Sequence, residues 1–173
     1  MKRLQDNVTL ITGGGKGIGF GLATAFAREG SNLVITGRTE SRLLSAKERL
    51  ESEYGIEVLP LVADGADEAS VKSVVKAALD RFGKINTLVN NAQTSKSGLP
   101  LVEHSKADFD LAIDSGLYAA FFYMRECFPA LKAVKGSVIN FASGAGLFGK
   151  LGQSSYAAAK EGIRGLSRVA AAE

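Results

Sequence analysis

The sequence has few of the residues that build disulfides and metal sites: one cysteine, Cys127, and one histidine, His104, among 173 residues. A single cysteine excludes a disulfide within the chain and a cysteine-based zinc cluster. With a single histidine as well, the chain has too few ligands for a metal site made of cysteine and histidine, so we predict that no metal is bound. A chain without disulfides is typical of a reducing compartment, and we expect a cytoplasmic protein.

Blocks of like charge and long apolar runs are also missing. The 21 basic and 18 acidic residues are interspersed and leave a net charge of only +3, which argues against a partner that is nucleic acid or a membrane surface. The apolar run 117–124 stops at Arg125, far short of a membrane span, and the first residues lack the apolar core of a signal peptide. These absences favour a globular protein whose partner is a small molecule.

Glycine is abundant, with 20 residues, many of them clustered at 13–21 and 144–152. Around these clusters, apolar strand patterns alternate with helix patterns five times. This alternation predicts an α/β fold, a doubly wound parallel sheet with helices on both faces, in one domain. The predicted strands are Val8–Thr12, Asn32–Thr36, Ile56–Val62, Asn86–Asn90 and Ser137–Phe141. The predicted helices are Gly17–Arg28, Ser41–Tyr54, Asp67–Phe82 with Asp67 as N-cap, Lys106–Leu131 ending near Pro129, and Ser154–Ala172.

The first glycine cluster, TGGGKGIG at 12–19, lies between the first strand and the first helix. Ligands of such sheets bind at the carboxyl ends of the strands, and glycines let the backbone approach a pyrophosphate at the start of a helix. The alternative is a tight turn that holds no ligand. The residues that we expect to contact a dinucleotide here are Thr12, Gly13, Gly15, Lys16, Gly17, Ile18 and Gly19.

The end of the second strand indicates which dinucleotide is bound. An acidic residue there would bind the ribose 2′-hydroxyl of NAD, but the sequence has Arg38, which suits the 2′-phosphate of NADP. Lys16 would add a second positive charge, although both cations could simply be solvated. We therefore expect NADP(H) to be preferred and NAD(H) to be possible. Asp64, just past the third strand, would either contact the adenine or cap a turn.

The stretch SSYAAAKEGI places Tyr156 and Lys160 one helical turn apart on the same face. Simple packing of a ring on a lysine stem would explain the pair. Tyrosine ordinarily titrates near pH ~10, and a nearby ammonium favours the phenolate. The pair could therefore also serve general acid and base chemistry.

Four motifs, in this order, give the chain its resemblance to the short-chain dehydrogenase/reductase family. They are TGGGKGIG, the NNA triplet at 90–92, Ser143 thirteen positions before Tyr156, and Tyr156-Ala-Ala-Ala-Lys160. The resemblance implies a Rossmann-like sheet of strand order 3-2-1-4-5. It implies that Tyr156 is the general acid and base, that Ser143 binds the substrate oxygen, and that Lys160 binds the nicotinamide ribose and favours the phenolate. It also implies that Asn90 and Ala92 line the cofactor channel and that Thr12 locks the glycine turn.

The chain departs from the family pattern at three places. Gln93 stands where the family has glycine, and Gly116 stands where the family has an asparagine that helps to hold a proton-relay water. The later strands and the substrate-binding segment of the family do not follow the helix 154–172, so we expect residues 1–173 to be a C-terminally truncated NAD(P)-binding domain. The aromatic cluster 121–123 covers more than one helix face. In this family the long helix often packs on its copy, which implies a homodimer or homotetramer.

The resemblance implies an NADP-dependent oxidoreductase that transfers a hydride between nicotinamide and a carbonyl or secondary alcohol. The first alternative is a nucleotide-binding sensor or scaffold with little catalysis. The second is a reductase of the carbon–carbon double bond of an acyl thioester on the same fold. We expect His104 to lie on the surface and Cys127 to pack in the interior.

Overall fold

The structure is a computed structural model and describes residues 2–173. Five parallel strands form one sheet in the order β3-β2-β1-β4-β5, which confirms the predicted fold class and strand order. The strands are β1 (Val8–Thr12), β2 (Asn32–Gly37), β3 (Val58–Val62), β4 (Thr87–Asn90) and β5 (Ser137–Asn140). The helices are α1 (Gly17–Arg28), α2 (Glu40–Tyr54), α3 (Glu68–Phe82), α4 (Lys106–Ala112), α5 (Ala119–Val134), α6 (Gly144–Phe148) and α7 (Ser154–Ala172).

Alternate residues of the central strands pack into two separate cores, one on each face of the sheet. Leu10 and Val34 belong to the core beneath α3 and α5. Their neighbours Ile11 and Ile35 belong to the core beneath α1 and α2. Because successive side chains of a strand point to opposite faces, the continuous apolar runs of these strands are those of a sheet covered on both sides. The carboxyl ends of the strands stay free at one edge.

Local chemistry sets several helix boundaries. Asp67 is the N-cap of α3, as predicted, and its carboxylate accepts a hydrogen bond from the Ala69 N–H at 3.0 Å. Gly55 and Gly83 end α2 and α3 in the left-handed conformation that glycine adopts without strain. Within residues 2–173, no helix is long and apolar enough to cross a membrane.

The long helix differs from its prediction. It runs from α4 through a π-helical segment, Ile113–Tyr118, into α5, and it continues past Pro129 to Val134. Proline removes one backbone donor and would end many helices. Here Pro129 is exposed, while Cys127 and Leu131 on either side of it are buried in the core. Their packing holds the helix together across the missing hydrogen bond.

Two short elements were not predicted, and three strands are shorter than predicted. The segment Leu101–Glu103 forms a 3-10 turn, and Gly144–Phe148 forms α6 within the second glycine cluster. Glycine is a poor helix former, and five residues are too few to show a period, so neither element has a clear sequence signal. β3 begins at Val58 rather than at residue 56, β4 begins at Thr87 rather than at residue 86, and β5 ends at Asn140 rather than at residue 141.

Candidate functional site

The glycine turn connects β1 to α1 at the carboxyl edge of the sheet. Gly13 has φ +68°, and a β-carbon on Gly19 would lie 2.1 Å from the Gly13 carbonyl oxygen. The turn therefore packs against the first turn of α1 more closely than any side chain allows. Lys16, the N-cap of α1, makes no side-chain capping bond, and the first turn contains no acidic residue. The positive end of the α1 dipole is thus available to an anion.

A cavity of about 560 Å³ opens over this turn. Its volume lies within the ordinary range for small-molecule sites. The predicted cofactor residues that line it are Thr12, Gly13, Gly15, Lys16, Gly17, Ile18, Gly19, Arg38, Asp64 and Ala92. The other lining residues, most of which sequence reasoning missed, are Thr36, Gly37, Thr39, Arg42, Leu43, Ala63, Gly65, Asn91, Gln93, Thr94, Ser115, Ala119 and Tyr123.

The cavity is basic where β2 ends. Lys16, Arg38 and Arg42 are all exposed and all line it. Arg38 also donates a hydrogen bond to the Thr94 hydroxyl at 3.4 Å, which turns it across the cavity mouth. Arg42 was not predicted, although its place in the first turn of the helix that follows Arg38 was a usable signal.

Asp64 makes the predicted turn cap and also lines the cavity, while its contact with the adenine stays a prediction. It lines the cavity beyond β3, and its carboxylate also accepts a hydrogen bond from the Ala66 N–H at 3.0 Å. The second contact is the predicted turn cap.

Thr12 holds a different loop from the one expected. Its hydroxyl accepts hydrogen bonds from the backbone N–H groups of Asn91 at 3.0 Å and Ala92 at 2.9 Å, and the Asn91 amide donates to the Thr12 carbonyl at 2.9 Å. Since β1 and β4 are neighbours in the sheet, their ends meet, and the buried hydroxyl reaches the segment after β4 rather than the glycine turn. Thr12 therefore fixes one wall of the cavity.

Asn90 lies inside the sheet rather than along the cavity. It is buried, and its amide donates a hydrogen bond to the Asn140 side-chain oxygen at 2.8 Å. Asn140 donates in turn to the Ser167 hydroxyl at 2.8 Å, so the ends of β4 and β5 are tied to α7. The expectation that Asn90 lines the cofactor channel is wrong for the cavity described here, where the adjacent Asn91 takes that place.

Tyr156 and Lys160 lie on α7, one turn apart. The Lys160 ammonium is 5.6 Å from the centre of the Tyr156 ring and donates a hydrogen bond to the Phe141 carbonyl at 2.6 Å. Lys160 is only 4% exposed, and burial lowers its pKa from the usual 10.5 to about 8. A buried cation is costly and seldom serves packing alone, which is consistent with a role in chemistry.

Ser143 is the N-cap of α6, and its hydroxyl accepts a hydrogen bond from the Ala145 N–H at 3.2 Å. α6 packs against α7, where a β-carbon on Gly146 would lie 3.1 Å from the Ala157 carbonyl oxygen. The helix capped by Ser143 therefore lies against the residue next to Tyr156. Ser143, Tyr156 and Lys160 are not among the residues that line the 560 Å³ cavity.

Three other candidate groups have environments that bear on their chemistry. Burial raises the pKa of Tyr123, at the inner end of the cavity, to about 12, so that this phenol keeps its proton at neutral pH. Burial also raises the pKa of Cys127 to about 12, and the residue packs in the core as predicted. His104, which we expected at the surface, is half-buried, and neither of its buried ring nitrogens has a hydrogen-bond partner within residues 2–173.

The chain belongs to the short chain dehydrogenase family, whose family model matches residues 7–173. It is 63% identical over 175 residues to a 12alpha-hydroxysteroid dehydrogenase from a Clostridium strain, a match that covers 98% of this chain and 68% of that protein. Its structure superposes with a TM-score of 0.94 on NAD+-bound xylitol dehydrogenase, at 27% identity over 98% of this chain and 65% of that one. It superposes equally well on L-sorbose reductase from Gluconobacter frateurii complexed with NADPH and L-sorbose, at 28% identity over 99% of this chain and 66% of that one.

Membership of this family makes the chain part of an oxidoreductase that acts on an alcohol or carbonyl group of a small molecule with a nicotinamide cofactor. The chain spans about two thirds of the length of the relatives described above. The residues present fit a dinucleotide, because the cavity combines a glycine cradle that a β-carbon would fill, an uncapped helix start and a basic rim.

Proposed function

We propose that this protein is an NADP-dependent dehydrogenase that interconverts a secondary alcohol and a ketone on a steroid. The observation that carries the proposal is the Tyr156–Lys160 pair, in which a buried ammonium lies 5.6 Å from a phenol ring. The 63% identity to a 12alpha-hydroxysteroid dehydrogenase supports the steroid as the substrate class.

In this proposal each side chain has one task. Tyr156 accepts the hydroxyl proton when the alcohol is oxidised and returns a proton to the oxygen when the ketone is reduced. Ser143 donates a hydrogen bond to the same oxygen and orients it. Lys160 stabilises the phenolate form of Tyr156 and binds the nicotinamide ribose. When bound, the nicotinamide cofactor supplies the hydride acceptor or donor.

The cofactor would lie in the cavity described above, held by the glycine turn, Asp64 and the segment after β4. Three basic residues at the rim, Lys16, Arg38 and Arg42, support a preference for the 2′-phosphate of NADP(H). A fluorescence titration should show tighter binding of NADPH than of NADH. Arg38→Ala and Arg42→Ala should each weaken NADPH binding about tenfold and leave NADH binding unchanged, since NADH lacks the phosphate. Tighter binding of NADH by the wild type would overturn the cofactor preference.

The catalytic roles are tested by following NADPH formation at 340 nm with a steroid that carries a 12α-hydroxyl group. Tyr156→Phe should lower turnover at least ~100-fold while NADPH affinity is retained, because general acid and base catalysis contributes that much. Tyr118→Phe is the matched control, since Tyr118 is 49% exposed and lies on the long helix. If wild-type protein binds NADPH but turns over no alcohol, the protein is a nucleotide-binding sensor or scaffold.

We also propose that residues 1–173 form a single nucleotide-binding domain of a cytoplasmic homodimer or homotetramer. Exposed aromatic residues on the long helix, Tyr118, Phe121 and Phe128, support contact with a second copy. Light scattering on the purified protein tests the assembly, and a monomer at micromolar concentration would contradict it.

A further inference from the structure

Two of the departures from the family pattern are in contact with each other. The carboxamide of Gln93 lies directly over Gly116 in the π-helical segment. A β-carbon on Gly116 would be 2.2 Å from Gln93 Oε1 and 2.6 Å from its Nε2, so a side chain at 116 would displace the carboxamide. Gln93 is half-buried and lines the cavity, so a side chain at 116 would push the carboxamide out of this place towards the cavity. Glycine at 116 therefore leaves room for the carboxamide of Gln93 in its present position.

The carboxamide also fastens the segment after β4 to the long helix. Gln93 Nε2 donates a hydrogen bond to the Ala112 carbonyl at 3.0 Å. The next residue continues the attachment, because the Thr94 N–H donates to the Ser115 hydroxyl at 3.0 Å. The single proton of that hydroxyl is shared between the Thr94 carbonyl at 2.8 Å and the Leu111 carbonyl at 2.6 Å. Gln93, Thr94 and Ser115 all line the cofactor cavity. The inner wall of the cavity thus depends on the bonds of Gln93 and Thr94 to the long helix.

The other end of the carboxamide is unsatisfied. Gln93 Oε1 is buried and has no hydrogen-bond donor among residues 2–173. A reversed amide would place this oxygen against the Ala112 carbonyl, so the hydrogen bond of Nε2 fixes which atom is left unpaired. An unpaired buried acceptor is costly, and such groups call for a ligand or a water molecule that donates to them.

The same turn of the long helix touches the helix that bears the candidate acid and base. Leu117 lies against Gly162, where a β-carbon would be 2.7 Å from the Leu117 side chain. Gly162 is two residues beyond Lys160 on α7. The carboxamide therefore lies between the cofactor cavity on one side and a turn that supports α7 on the other.

We propose that Gln93 is a positioning residue of the cofactor site. Its Nε2 holds the segment 91–94 in place, and its Oε1 accepts a hydrogen bond from a donor that is present when the cofactor is bound. The carboxamide occupies the volume of the side chain that Gly116 lacks. This inference rests on the proposed function for the identity of the ligand. The contacts of Gln93 itself do not depend on the proposed function.

The first test replaces the carboxamide by an apolar group of similar length. Gln93→Met should raise the dissociation constant for NADPH about tenfold, since the hydrogen bond to Ala112 and the acceptor are both lost. Gln5→Met is the matched control, because Gln5 is exposed and contacts Gly30 at the amino end of the sheet, and it should bind NADPH as the wild type does. A wild-type dissociation constant for Gln93→Met would overturn the proposal.

The second test moves the amide to the helix. Gly116→Asn alone should lower the melting temperature and weaken NADPH binding, because its side chain collides with Gln93. The double variant Gln93→Gly/Gly116→Asn should restore the dissociation constant to within about threefold of wild type, which loss of packing alone would not do. Double-variant binding no tighter than that of Gly116→Asn alone would overturn the proposal.

The two proposals fail in different ways. Absence of steroid turnover in wild-type protein that binds NADPH contradicts only the proposed function. Unchanged NADPH binding in Gln93→Met, with turnover of the steroid intact, contradicts only the role of Gln93.

Discussion

At the scale of single residues, Lys160 links the stability of the protein to its proposed chemistry. Burial lowers its pKa from the usual 10.5 to about 8. In the unfolded chain the same lysine keeps its proton to higher pH, so the unfolded state binds more protons between about pH 8 and pH 10.5. The contribution of Lys160 to stability therefore rises with pH through that window, and below it the buried charge costs about 3 kcal/mol.

We predict that Lys160→Met is more stable than the wild type at pH 7 by about 1–3 kcal/mol, after the loss of the hydrogen bond to the Phe141 carbonyl. The advantage should shrink steadily towards pH 10, as measured by urea unfolding at four pH values. Lys132→Met, at an exposed lysine on α5, is the control and should follow the wild-type curve. A Lys160→Met curve parallel to that of the wild type at every pH would contradict the buried charge.

Single residues also mark the limit of what the sequence could reveal about the site. The candidate cofactor residues of the glycine turn could be predicted because their chemistry is local, a strand end followed by glycines and a helix start. The contact between Gln93 and Gly116 could not be predicted, since the two residues are far apart in the chain and each alone is only an unusual residue. The buried state of Lys160 is likewise a tertiary property that the motif does not contain.

At the scale of elements, the central strands could be predicted because they are continuous apolar runs, and α1 and α7 because their helical patterns extend over 12 and 19 residues. The long helix was predicted to stop near Pro129. The low helix propensity of proline favours an end at that point. However, Cys127 and Leu131 are buried on either side of Pro129, and their packing stabilises the helix beyond the proline. The short helix α6 could not be predicted, because five residues give no period and its stability comes from packing on α7.

The packing of α1 on the glycine turn provides a test at this scale. Gly19→Ala should destabilise the protein by about 1–3 kcal/mol and weaken NADPH binding, because the new methyl group would lie 2.1 Å from the Gly13 carbonyl oxygen and push the turn away from the helix. Gly21→Ala is the matched control in the same helix. Apart from its neighbours in α1, no atom lies within 4 Å of a β-carbon at position 21. Because alanine favours helix more than glycine does, Gly21→Ala should stabilise the protein by about 0.5–1 kcal/mol. Thermal unfolding and NADPH titration of both variants check the prediction, and similar behaviour of the two would contradict the close approach.

At the scale of the whole molecule, positive and negative charges are nearly balanced, while the rim of the cavity carries an excess of positive charge. The net charge of +3 is too small to attract an anionic ligand over long distances. Lys16, Arg38 and Arg42 instead concentrate positive charge at one rim. Because all three are exposed, their attraction for a 2′-phosphate should be screened by salt, with a Debye length of about 8 Å at physiological ionic strength.

We therefore predict that salt distinguishes the two cofactors. Raising the sodium chloride concentration from about 0.05 to 0.5 M should weaken NADPH binding several-fold more than NADH binding, since only NADPH places a phosphate at the basic rim. In Arg38→Ala/Arg42→Ala the difference between the two salt slopes should largely disappear, because two of the three basic residues at the rim are removed. A small difference should remain, since Lys16 is still present. Titrations at four salt concentrations measure the slopes. Equal slopes for NADPH and NADH in the wild type would mean that the rim residues are ordinary surface cations and that the preference for NADP(H) has no electrostatic basis.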